Sequence, residues 1–155
     1  MTATYLAQAN DHQVLEWVGD STFAVLLDSA ATAGQITVAR LVAPKGAAAP
    51  YHVHSSEDEI FFLISGSALF WSGDKEYELH EGGIVFLPRD IPHSYRVTSD
   101  SADFLVLATP GGMEGMFRKV GRDVSEPRPD DFEISTTKMT EAAVEFGQTI
   151  LGPPR

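Results

Sequence analysis

Cysteine is absent from the 155 residues. That excludes disulfides, thiolate metal sites and a cysteine nucleophile. Any metal must be held by imidazole and carboxylate, a donor set open to nickel, iron, manganese, cobalt, zinc or copper. Basic residues are scarce: 11 Lys and Arg stand against 22 Asp and Glu, for a net charge of -11. Such a chain repels phosphate, so neither nucleic acid nor an anionic membrane surface is an expected partner. Long apolar runs are missing as well. The start MTATYLAQANDHQVLEW has no basic leader and no apolar stretch, so no signal peptide or membrane span is expected, and the expected location is cytoplasmic.

What the sequence does have is many short apolar runs broken by turn residues. Strands are expected at 13–18, 22–27, 35–43, 59–65, 67–72, 75–79, 84–87, 93–98 and 104–108. This spacing predicts an all-β sandwich or barrel, with no room for alternating long helices. Short helices are expected only near the end, over 112–120 and from a Thr140 cap to Gly147. VSEPRPDD between them reads as a surface loop. In the run 59–65, Phe61 and Leu63 share a face with Glu59, while Ile60, Phe62 and Ile64 form the other. Both faces are apolar, so the strand should be covered on both sides, by a second sheet, the N-terminal strands or a second subunit in a homodimer.

The chemistry concentrates in YHVHSSEDEIFFLISG and GGIVFLPRDIPHSYRV. His52 and His54 are two apart, so on an extended strand they point to one face and supply half of a metal site. Glu57, Asp58 and Glu59 are the nearby carboxylates, and strand parity favours Glu59. His93 follows a rigid turn containing Pro88, Asp90 and Pro92. His12 and His80 lack partners at useful spacing. Tyr51, Phe61, Leu63, Phe70, Phe86 and Tyr95 are candidate pocket residues, and the methionines of GGMEGMFRKVG are candidates to cap its mouth.

These motifs resemble the cupin superfamily. Gly46, His52, His54, Glu59 and Gly66 fall on the first cupin motif, and Gly82, Pro88, Pro92 and His93 on the second. Asp90 stands where the family pattern has glycine and Val97 where it has asparagine. The resemblance implies a double-stranded β-helix, a jelly-roll barrel with short C-terminal helices. It implies one cupin domain over residues 1–155, with a motif core at 46–97 and a helical or extended tail from about 110 to 155. It also implies that His52, His54, Glu59 and His93 hold one divalent transition metal.

TPGGMEGMFRKVG and the ending EFGQTILGPP are similar to those of small bacterial monocupins resembling flavonol dioxygenases (quercetinases). That likeness implies a metal-dependent dioxygenase that cleaves a chelating flavonol-like, enolic or phenolic substrate with O2. Glu59 would be both ligand and catalytic base, provided that an apolar cavity raises its pKa. The alternatives are a non-oxidative cupin isomerase or polyketide cyclase, and a cupin that only binds a small ligand.

Overall fold

The computed structural model describes residues 3–155. Twelve strands and two helices follow in chain order: β1 Gln13–Trp17, β2 Ser21–Leu27, β3 Thr37–Pro44, β4 Tyr51–His54, β5 Asp58–Ser65, β6 Ser67–Ser72, β7 Lys75–His80, β8 Ile84–Leu87, β9 His93–Val97, β10 Ser101–Thr109, α1 Glu114–Val120, β11 Arg122–Asp123, α2 Thr136–Glu145 and β12 Gln148–Gly152. They form two antiparallel sheets. The larger has the order β11-β1-β2-β3-β10-β5-β8, and the smaller β12-β4-β9-β6-β7. Among the described residues no ladder joins the edges of the two sheets. The expected all-β jelly roll is thus present, as a two-layer sandwich whose sheet edges stay open rather than closing into a barrel. Spacing in the sequence shows strands and their faces, but closure depends on how the edge strands meet.

Alternation decides the core. In β10 the residues Ala102, Phe104, Val106 and Ala108 point inward and are buried. Thr37, Ala39, Leu41 and Ala43 do the same in β3, and Glu59, Phe61 and Leu63 in β5. Phe61, Phe70, Tyr95 and Phe104 meet between the sheets with ring centroids 5.2 to 6.2 Å apart, the spacing of edge-to-face and tilted aromatic pairs. Gly66 makes the turn into β6 at φ 95°, where a Cβ would sit 2.3 Å from the Ser101 carbonyl oxygen. No other residue fits there.

The outer face of β5 and β8 is open within the chain. Phe62, Ile64, Ile84 and Phe86 are 37%, 42%, 66% and 57% exposed. Neither the second sheet nor the N-terminal strands cover them within this chain.

Past β10 the chain crosses one end of the sandwich as α1 and α2. The second helix starts at Thr136 with Ser135 as its cap, earlier than the expected Thr140, whose hydroxyl instead bonds the Thr136 carbonyl. Both residues suit a cap, and only the backbone path chooses between them. The loop 124–131 is mostly exposed, as expected. Glu114 pins α1 to the larger sheet. It is buried and accepts bonds from the Ser29 amide (2.9 Å), the Ser29 hydroxyl (2.5 Å), the Thr37 hydroxyl and the Gly112 amide (3.2 Å).

Burial pushes the Glu114 carboxyl up, but these bonds outweigh it and hold it below the usual range. A depressed folded pKa means that the unfolded chain takes up the proton first as pH falls. The stabilisation is therefore full above the ordinary Glu value of about 4.3 and fades below it. Glu114→Gln should cost about 2 kcal/mol in urea unfolding at pH 7. The gap to wild type should narrow by pH 3.5.

Candidate metal centre

Three ligand candidates lie on one sheet and the fourth on the other. β4 carries His52 and His54, and β9 pairs with it so that His52 stands directly opposite His93. Glu59 faces them from β5 of the larger sheet. The jelly roll thus turns two distant sequence motifs into one cluster between its layers. One ligand atom from each of the four residues lies within 4.8 Å of all the others. His52 Nε2 is 3.0 Å from His54 Nε2. Glu59 Oε2 is 3.2 Å from His93 Nε2 and 3.5 Å from His54 Nε2. Donors about 2.1 Å from a shared ion lie about 3.0 Å apart at right angles and about 3.4 Å at tetrahedral angles. The three separations of 3.0 to 3.5 Å match those of donors on one divalent transition metal.

The outer nitrogens fix the tautomers. His52 Nδ1 donates to the Pro50 carbonyl at 2.7 Å and His93 Nδ1 to the Ile91 carbonyl at 3.2 Å. His54 Nδ1 donates to Glu57 Oε1 at 2.6 Å. With Nδ1 protonated, each ring turns its Nε2 lone pair inward. Burial pushes the His52 imidazole down to about 3, and the nearby His93 and His54 rings add to the shift. His52 is therefore neutral at neutral pH, as a metal ligand must be. Burial also pushes His54 down, but the Glu57 hydrogen bond and the Glu59 and Glu57 charges outweigh it and raise the ring.

The three acidic residues of the SSEDE turn take three separate parts. Glu57 is buried and orients His54. Asp58 turns away to bind Arg89 twice, at 3.1 and 3.0 Å, and accepts the Arg89 amide at 2.9 Å. That clamp holds the turn leading to His93. Only Glu59 reaches the cluster. Asp90, in the glycine position of the motif, adopts φ 66°, a left-handed conformation that aspartate tolerates. Its amide bonds the His54 carbonyl at 2.7 Å. Val97, in the asparagine position, is buried in the core.

Glu59 departs from the sequence expectation in one respect. Burial does push its carboxyl up, but the contact with His93 and the neighbouring imidazoles of His54, His93 and His52 bring it below the usual range. The apolar strand around Glu59 suggested a raised value. The three imidazoles that reverse it arrive from other strands.

A cavity of about 60 Å³ opens beside the cluster. Of the expected pocket residues, Phe61 and Tyr95 line it, whereas Tyr51, Leu63, Phe70 and Phe86 do not. Its far wall comes largely from the C-terminal elements: Met113, Met116, Phe117 and Met139. Phe117 stacks on Phe23 with centroids 3.7 Å apart, so α1 closes the end of the sandwich. Gln148 also lines the cavity, from β12, a strand with no counterpart in the sequence reading.

Residues 39–110 match the family described as "Cupin domain". Quercetin 2,3-dioxygenase from Bacillus subtilis (strain 168) is 29% identical over 103 residues, which make up 66% of this chain and 31% of that protein. Quercetin 2,3-dioxygenase from Aspergillus japonicus is 22% identical over 104 residues, 64% of this chain and 30% of that protein. The chain thus spans about a third of the length of these curated relatives. Among solved structures, KdgF from Halomonas sp. superposes with TM-score 0.65 at 12% identity, covering 73% of this chain and 99% of that one. A predicted oxalate decarboxylase from Thermotoga maritima gives TM-score 0.64 at 21% identity, covering 68% and 99%. The two-layer jelly roll, the clustered three histidines and one glutamate, and the match of residues 39–110 to the cupin domain family together make this chain similar to cupins, and among the curated relatives it is similar to quercetin dioxygenases.

Proposed function

We propose that this chain is a metal-dependent dioxygenase, acting with O2 on a compact enolic or phenolic compound that chelates the metal. The observation that carries the reading is the convergence of His52, His54, Glu59 and His93 at the wall of an apolar cavity. The likeness to two quercetin dioxygenases supports the choice of reaction. When bound, a divalent transition metal (nickel, iron, manganese or cobalt first, zinc or copper next) supplies a Lewis acid and a site at which dioxygen and an electron-rich substrate can react. The protein supplies the rest. His52, His54 and His93 present oriented lone pairs. Glu59, ionised at neutral pH, is placed to accept the proton of a substrate hydroxyl, and the apolar walls exclude water.

Cavity size limits the substrate. About 60 Å³ is well under the roughly 150 Å³ that admits a benzene ring. Any aromatic substrate, a catechol as much as a flavonol, enters only if Met113, Met116 and Met139 swing aside, and methionine side chains are flexible enough to do so. The same small volume favours a second reading, a non-oxidative isomerase or cyclase acting on a small substrate with the metal as Lewis acid only. The two differ in whether O2 is consumed.

We read residues 1–155 as one domain, because α1, α2 and β12 complete the cavity of the motif core. Among the described residues no helix is long and apolar enough to cross a membrane. With the net charge, this supports a cytoplasmic protein whose partners are small molecules.

The uncovered face of β5 and β8 supports a homodimer, since a contiguous apolar patch of this kind is usually an interface. Light scattering at micromolar concentration should give twice the 16.8 kDa chain mass, and Phe86→Glu should give the monomer. A wild-type monomer would show that the face stays bare.

A further inference from the structure

We propose that the Gln148 side-chain amide is a substrate anchor, reading a second oxygen on whatever compound binds at the His/Glu cluster. The first observation is its position. Gln148 opens β12 and pairs in register with His54 of β4. Directly opposed residues of an antiparallel pair hold their Cβ atoms about 5 Å apart. Both side chains line the same cavity.

The second observation is an unmet bond. Gln148 is only 4% exposed, yet its Nε2 has no hydrogen-bond partner among the described residues. Buried amide donors are nearly always paired, and an unpaired one calls for a ligand or a functional role. Apart from Gln148 and Tyr95, the uncharged cavity wall is aromatic or aliphatic, with methionine sulfur and the Trp17 indole. These groups offer a strong acceptor little competition.

The chemistry then follows from geometry. A ligand oxygen held at the cluster sits next to His54, and the amide of Gln148 lies one strand away. The group best placed to accept its hydrogen bond is an oxygen on the neighbouring carbon. This selects compounds with vicinal oxygens, such as catechols, enediols and α-hydroxyketones, over compounds with one. A lone oxygen can use the cluster but leaves the amide unpaired, and a site built around a donor discriminates strongly against ligands that leave it unmet. The inference rests on the proposed site but not on turnover.

The test compares catechol with phenol as probes of metal-loaded protein, with affinities from calorimetric titration. Wild type should prefer catechol. Gln148→Met keeps length and volume while removing the donor. It should cut the catechol-to-phenol preference about tenfold and leave phenol affinity and metal content within twofold. Any chelate advantage at the metal is common to both proteins and cancels in the ratio. Gln148→Glu, which replaces the donor with a negative charge, should lower the preference further. An unchanged ratio in both variants would overturn the proposal. So would an equal loss for both probes, which means packing alone, or a wild type without catechol preference. If the ratio collapses while no O2 is consumed, Gln148 keeps its role and the dioxygenase reading falls.

Discussion

His54→Ala is expected to retain less than a tenth of the wild-type metal and to lose all measurable turnover. Its imidazole does more than supply one of four donors. It is buried, it approaches His52 Nε2 and Glu59 Oε2 at 3.0 and 3.5 Å, and its outer nitrogen is held by Glu57. Removing it leaves Glu57 as a buried carboxylate without its partner, beside the Glu59 charge. The loss therefore exceeds that of one ligand. Glu57→Gln keeps an acceptor oxygen but not the full charge, so metal affinity should fall by about tenfold, the lower end for partners behind a ligand. Elemental analysis after dialysis measures both. Stoichiometric metal and normal turnover in His54→Ala would remove it from the site.

Glu59→Gln is expected to lose only part of its metal but about a hundredfold or more in turnover. The amide keeps the shape and an oxygen that can coordinate, and three imidazoles remain. It cannot accept a proton, and loss of a general base costs roughly 100-fold to 10,000-fold. The carboxyl lies below the usual range, so it is ionised and ready at neutral pH. Glu59 should therefore impose no acid limb near neutral pH, and the acid limb of wild-type turnover should belong to His54, whose ring is raised and must lose its proton to bind metal. Near-normal turnover in Glu59→Gln would mean that substrate arrives already deprotonated, leaving Glu59 a coordinating role.

Much of this site was legible in the sequence because its constraints are local. Two histidines at a spacing of two must share a face of a strand, and a glutamate opening the next apolar strand must face inward with Phe61 and Leu63. Asp90 reads correctly as a left-handed turn residue because aspartate is among the few that adopt one. What was not legible depends on distant neighbours. The net direction of the Glu59 shift is set by imidazoles from β4 and β9, and the apolar run around Glu59 pointed the other way. Glu57 and Asp58 look alike in sequence, yet one holds His54 and the other Arg89. β12 is short and follows Gly147, which reads as a helix stop, so its pairing with the histidine strand leaves little trace in the sequence. The open edges of the two sheets and the small cavity are likewise properties of packing, since the residues lining the far wall come from helices whose docking no periodicity specifies.

An oxygen-electrode measurement on metal-loaded protein decides whether the reaction is oxidative. It should use a panel running from small enediols and catechols to flavonols, with substrate loss followed in the same cell. One O2 should be consumed per substrate cleaved, none in His54→Ala, with compact substrates turned over faster than flavonols. Substrate conversion that proceeds at the same rate without oxygen would contradict the dioxygenase reading and establish the non-oxidative one.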